Sequence, residues 1–174
     1  MIRLRNLETR DALPMLEWMD DFDTTRYLQK DFQKYTLDDC LRFIEDSNRN
    51  TDSVHLCIDE DGVYCGTVSL KNLIVGKSAE FAIVMHPAAR GKGIGSYALD
   101  IILNYGFNEK NLGLIYWSVR KDNIRAIRLY DKKGYGRSTC EMIEIKLGGG
   151  IPDYTKEQKA SLMWYLVTRK ERAV

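Results

Sequence analysis

Residues 79–107 narrow the choice of fold more than any other stretch of the chain. Ala79 to His86 carries Phe81, Ile83 and Met85 on one face and Ala82 and Val84 on the other. Apolar residues on both faces predict a central strand covered from each side. Pro87 ends it. After Arg90-Gly91-Lys92-Gly93-Ile94-Gly95-Ser96, the stretch from Gly93 to Phe107 sets Ile94, Ala98, Ile101, Ile102 and Tyr105 at helical spacing. A buried strand, a glycine-rich turn and a long helix in that order belong to an α/β architecture. The alternate glycines open backbone angles closed to other residues and let a ligand approach the main chain. The first turn of the helix adds N–H groups with no intrahelical partner. With Arg90 and Lys92 beside them, these donors suit a phosphate or pyrophosphate. Taken alone, the run also fits a glycine-rich turn with no ligand, the lesser of the two readings. Its order is neither the dinucleotide fingerprint, whose last place Ser96 occupies, nor a P-loop.

The flanking segments extend the pattern. Ile2 to Arg5 predicts a short strand, and Arg10 to Met19 a helix with Ala12, Leu13, Leu16 and Met19 on one side. Thr36-Leu37-Asp38-Asp39 resembles a capping box opening a second helix to about Ser47. Val54, Leu56 and Ile58 alternate, Asp61-Gly62 turns the chain, and Val63 to Ile74 returns it as a hairpin. Leu114 to Val119 predicts a strand, and Asn123 to Lys133 a helix closed by Gly134. Two more strands are expected, over Thr139 to Leu147 and Ser161 to Thr168, with a flexible loop at Gly148 to Pro152 between them. The order β-α-α-β-β-β-α-β-α-β-β describes one domain over residues 1–174, a mixed and largely antiparallel sheet flanked by helices. The last strand is apolar on both faces, so something covers it, a second subunit being one candidate.

A chain of 174 residues buries roughly 70% of its unfolded surface, enough for a substantial core. A net charge of +1 gives no strong field for nucleic acid or an anionic membrane. Cys40, Cys57, Cys65 and Cys140 form no C-x-x-C pair, and His55 and His86 are the only histidines. No structural metal site is therefore expected. Scattered thiols, with no apolar signal core and no long apolar run, point to the cytoplasm.

Two blocks carry a family resemblance. Arg90-x-x-Gly93-x-Gly95 resembles the acetyl-CoA signature R/Q-x-x-G-x-G/A of the GNAT superfamily of N-acetyltransferases. The run Asn123-Ile124-Arg125-Ala126-Ile127-Arg128-Leu129-Tyr130, with Gly134-Tyr135, is similar to its N-x-x-A-x-x-L-Y-x-x-x-G-F/Y block. Leu4-Arg5-Asn6-Leu7 and Ala79-Glu80-Phe81 resemble the branch of ribosomal-protein N-terminal and spermidine acetyltransferases.

The resemblance implies acetyl transfer from acetyl-CoA to an amine, with no metal. It implies that Arg90, Gly91, Lys92, Gly93, Ile94, Gly95 and Ser96 hold the pyrophosphate. It also implies that the strand Ala82 to Met85 splays to receive the pantetheine, an N–H near Val84 or Met85 facing the thioester oxygen. Tyr130 takes the family's tyrosine position and is the expected general acid, although a tyrosine on that apolar face also suits a core role. Asn123 suits a helix cap or a pantetheine contact. The amine must lose a proton before it attacks. Glu80, at the start of the buried strand, is the expected base; a strand-end carboxylate or a partner for a cationic acceptor fits it equally. Ser118 stands where certain N-terminal acetyltransferases carry a glutamate base. The acceptor is expected between the N-terminal helices and the final hairpin, near Asp20, Asp21, Asp23 and Asp31, with Gly148 to Tyr154 as a lip or a connection. Small amines, amino sugars, antibiotic amines and protein N-termini all fit. A CoA-binding sensor without catalysis, or a partner-binding module, is the alternative.

Overall fold

The computed structural model describes residues 1–172. Strand β1 (Ile2–Asn6) leads through a 3-10 turn into α1 (Ala12–Asp20), α2 (Phe22–Thr25) and α3 (Leu37–Arg49). The hairpin β2 (Val54–Glu60) and β3 (Val63–Ile74) continues into β4 (Ser78–Met85) and the long helix α4 (Ile94–Asn108). Then come β5 (Leu114–Arg120), α5 (Ile124–Lys132), β6 (Gly136–Ser138), α6 (Cys140–Leu147), α7 (Lys156–Ser161), β7 (Leu162–Thr168) and α8 (Arg169–Arg172). No helix among the described residues is long and apolar enough to cross a membrane.

The seven strands form one sheet in the order β1-β2-β3-β4-β5-β7-β6. Every neighbouring pair is antiparallel except β4 and β5. Helices cover both faces, as the doubly apolar β4 requires. On one face α4 and α5 bury Phe81, Ile102, Ile115, Trp117 and Tyr130 in the largest core cluster. On the other, α1 and α3 cover β2 to β4 around Met15, Trp18, Cys57 and Tyr64. There α6 covers β5 and β7 around Tyr116, Ile143 and Trp164. Both faces of β7 are therefore covered by the chain itself, and its apolar character does not call for a second subunit.

Three local expectations change. Thr139 to Leu147 is a helix, not a strand. The Thr139 side chain accepts from the Met142 N–H at 3.2 Å, and Gly148, at φ +69°, ends the helix. Cys140 and Ile143 are buried and Leu147 partly so, spacings of three and four that match a helix, while Ile145 is 72% exposed. Two isoleucines two residues apart imitate strand alternation. The strand of that region is the shorter β6. In α1 the buried positions are Ala12, Met15, Trp18 and Met19, whereas Leu13 is exposed. The segment after Gly148 is tied down: Ile151 is buried, and its N–H donates to Glu144 Oε1 at 3.0 Å.

A charged cluster is buried under β1. The Arg5 guanidinium donates to both Asp11 oxygens at 2.7 and 2.8 Å and to Asp59 Oδ2 at 2.7 Å. Arg3 reaches the other Asp59 oxygen at 3.3 Å, and the Gly62 N–H donates to it at 3.0 Å. Burial alone would raise the Asp59 carboxyl, but these donors outweigh it and hold the group at about 2.

Candidate active site at the fork between two strands

The parallel pairing of β4 with β5 stops early. It joins Ser78, Ala79 and Glu80 to Leu114, Ile115 and Tyr116 and goes no further. Beyond it, β4 pairs only with β3 as far as Met85, and β5 only with β7 as far as Arg120. A fork opens in the middle of the sheet, with one edge of β4 and one edge of β5 facing each other unpaired.

The antiparallel ladder fixes which main-chain groups face that fork. Opposed residues on such strands alternate between exchanging both hydrogen bonds and exchanging none. The His86 N–H donates to the Cys65 carbonyl at 2.9 Å. Two and four residues back, Val84 and Ala82 therefore also turn their main-chain groups toward β3. The Val84 carbonyl oxygen agrees, because a Cβ placed on Gly66 of β3 would lie 2.2 Å from it. Phe81, Ile83 and Met85 turn theirs to the fork. Of the two N–H groups expected near the thioester, Met85's faces the gap and Val84's does not.

The glycine loop runs from β4 into α4. Gly91 and Gly93 lie at φ +78° and +79°, in the left-handed region. Gly93 caps α4 without a side chain, and the N–H groups of Ile94, Gly95 and Ser96 find no acceptor among the described residues. Gly95 lies close to β4, where a Cβ would come within 3.3 Å of Met85 Sδ. The donors of the loop thus open beside the end of the fork, an arrangement suited to an anion. Lys92 is exposed there. The Arg90 guanidinium bonds Asp21 Oδ2 at 3.0 Å and also reaches the Thr24 hydroxyl. It ties the loop to α2, and Asp21 offsets its charge. His86 also anchors the loop, accepting from the Ala88 N–H at 3.3 Å and facing Glu17 at 3.0 Å.

Each face of the fork carries polar groups. On the α5 side, Tyr130 packs against Trp117, the first β5 residue past the pairing, with centroids 5.3 Å apart, and against Tyr165 at 5.1 Å. Burial pushes the Tyr130 phenol above its ordinary value, so it stays protonated at neutral pH. Asn123 caps α5 by accepting from the Ala126 N–H at 3.2 Å. On the opposite face, Glu80 is 2% exposed. Its carboxylate accepts from Tyr154 Oη at 2.5 Å and from Asn72 Nδ2 at 3.1 Å, and it faces Lys71 Nζ at 3.3 Å. The Tyr154 oxygen also lies 3.1 Å from Ser118 Oγ on β5. Asn72 and Asp153, the residue before Tyr154, adopt positive φ of 49° and 66°. Asp20, Asp23 and Asp31 are exposed. No three of His, Cys, Asp and Glu are grouped to hold a metal ion among the described residues.

Sequence reasoning named Glu80 as the base and noted Ser118 only as a departure from a glutamate, and it missed Tyr154 and Asn72. Tyr154 lies 74 positions from Glu80, and no periodicity links them.

Residues 2–135 match the family model described as acetyltransferase (GNAT) domain. Spermidine N(1)-acetyltransferase of Escherichia coli strain K12 is 28% identical over 152 residues, covering 85% of this chain and 80% of that protein. Acetyltransferase PseH of Campylobacter jejuni strain 81-176 is 24% identical over 141 residues, covering 78% of this chain and 85% of that one. Among solved structures, spermidine N-acetyltransferase from Vibrio cholerae in complex with CoA and spermine superposes with a TM-score of 0.79 at 19% identity, over 99% of this chain and 98% of that one.

Proposed function

This chain belongs to the GNAT acetyltransferase family, an acetyl-CoA-dependent N-acetyltransferase by that membership, and we propose that it acetylates a primary amine on a small acceptor by direct attack at the β4–β5 fork. One observation carries the reading: β4 leaves β5 after Glu80 and Tyr116, and β4 then runs into a glycine loop and helix start whose Ile94, Gly95 and Ser96 amides have no acceptor among the described residues. The loop from Gly91 to Ser96 takes the pyrophosphate of acetyl-CoA. The pantetheine enters the fork and pairs with the edge of β4 that Phe81, Ile83 and Met85 present. The thioester carbonyl then lies near the Met85 N–H, which stabilises the oxyanion formed on attack. Tyr130 reaches the sulfur from the α5 side. The acceptor enters from the opposite face, between the α1–α3 layer and α6, where Glu80 and Ser118 lie. The Escherichia coli relative named above is a spermidine N-acetyltransferase, which supports a small cationic amine as the acceptor. Four free, buried thiols support the cytoplasm as its place of work.

Incubation with acetyl-CoA and a panel of polyamines, amino sugars and peptide N-termini, read by mass spectrometry, should reveal one class of acetylated amine with equimolar free thiol. Tight CoA binding with no acetylated product would instead make the chain a sensor. Gly93→Val is expected to weaken CoA binding by roughly tenfold, the effect of about 1–2 kcal/mol for an L side chain held in the left-handed region. Calorimetric titration with CoA checks this; unchanged affinity would remove the loop's backbone angles from the account.

A further inference from the structure

The hydroxyl of Tyr154 sits where the sheet divides and touches both branches. Its proton points at Glu80 Oε1 on β4, 2.5 Å away, and its oxygen lies 3.1 Å from Ser118 Oγ on β5. The ring is fixed edge-on against Trp164, with centroids 5.2 Å apart. Glu80 itself is sealed, and Tyr154, Asn72 and Lys71 account for its oxygens. An amine in the fork therefore reaches that carboxylate only through another group. Ser118 is half-buried on the stretch of β5 that β4 no longer pairs, and it shares the face of Glu80, because Tyr116, two residues earlier, is Glu80's register partner.

We propose that Ser118, Tyr154 and Glu80 form a proton relay that deprotonates the acceptor amine, an inference resting on the acetyl-transfer reading above. The ammonium gives a proton to Ser118 Oγ as the Ser118 hydroxyl proton moves to Tyr154 Oη and the Tyr154 proton moves to Glu80 Oε1. Both hydroxyls are regenerated, the carboxylate becomes a carboxylic acid, and the nitrogen lone pair is free. That pair forms the C–N bond. The C–S bond breaks with its electrons on sulfur, and the thiolate takes one proton while the new amide loses its second. Overall one ammonium and one thioester yield an amide, a thiol and one proton released from Glu80 to water. Once the product has left, the proton leaves Glu80 by the reverse transfer, through Tyr154 and Ser118 to water. Tyr154 thus acts through Glu80 and Ser118 and is a positioning and relay residue, supplied by a segment beyond the residues that the family model matches.

Tyr154→Phe keeps the ring on Trp164 and removes the relay atom; Ser118→Ala removes the first link. Each variant is compared with wild type on the aliphatic amine found by the acceptor panel and on its fluorinated analogue, which is unprotonated at neutral pH. On the protonated amine each variant should lose roughly 100-fold in kcat, the lower end of what a positioned base contributes. On the fluorinated amine, which needs no deprotonation, the loss should stay under about threefold. An equal loss on both acceptors would make Tyr154 a structural latch and overturn the relay, as would no loss on either. A wild-type enzyme that acetylates no amine overturns the parent reading and the relay with it.

Discussion

Tyr130→Phe is expected to lower single-turnover acetyl transfer by roughly 1,000-fold, within the range a positioned acid contributes, while CoA affinity stays within about twofold. The ring is built into the core: Trp117 and Tyr165 pack on it at 5.3 and 5.1 Å, and its residue is 5% exposed. Phenylalanine preserves those contacts, so the fold and the CoA groove should be unchanged. Only the hydroxyl is lost, the group proposed to donate when the C–S bond breaks and charge collects on sulfur. Burial holds the phenol protonated across the neutral range, so a donor is available whenever the thiolate forms. Single-turnover measurement removes product release from the comparison. A rate unchanged under those conditions would confine Tyr130 to the core.

The second large effect is on stability. Arg5→Met is expected to destabilise the protein by about 3–5 kcal/mol at neutral pH, the usual cost of stripping the partner from a buried charge. Asp11 and Asp59 are 1% and 0% exposed and share this one guanidinium. At about 2–4 °C per kcal/mol for a chain of this size, the melting temperature falls by roughly 10 °C. The pH dependence has a definite sign. Asp59 is held at about 2 in the folded chain, below its unfolded value near 3.9. Its contribution is thus fully present above about pH 4 and is lost as pH falls toward 2. In the variant Asp59 keeps only Arg3 at 3.3 Å and the Gly62 N–H, so its burial is less well offset and the penalty appears as pH rises above about 4. The gap between wild type and variant should therefore shrink on acidification. Urea melts at pH 7 and pH 4 measure both; a gap independent of pH would show that Asp59 does not depend on Arg5.

The division between what the chain reveals in order and what it conceals follows the range of the forces. The strand, glycine turn and helix over residues 79–107 were legible because they are neighbours, and local periodicity and capping dictate them. The same holds for α5, whose Asn123 cap and buried Ile127 and Tyr130 lie within eight residues. Resemblance then supplied the fork, which no periodicity encodes. The reading failed at Thr139 to Leu147, where Ile143 and Ile145 imitate alternation and only packing under β5 and β7 selects the helix. It also missed contacts between distant positions. Arg5 meets Asp59 and Tyr154 meets Glu80 across separations of 54 and 74 residues. Nor did the loop's sequence point to the contacts of Arg90 with Asp21 and Thr24, 69 and 66 positions away. The pairing of a charge depends on what the fold brings near, and charge alone does not specify it.

The central claim is that acetyl-CoA lies along the fork with its pyrophosphate on the glycine loop. A crystal structure of the protein with CoA tests it most directly. The account predicts pyrophosphate oxygens within hydrogen-bond distance of amides between Gly91 and Ser96, pantetheine paired with the main chain of Ile83 or Met85, and sulfur beside Tyr130. CoA bound elsewhere, with β4 and β5 closed against each other beyond Glu80 and Tyr116, would contradict it.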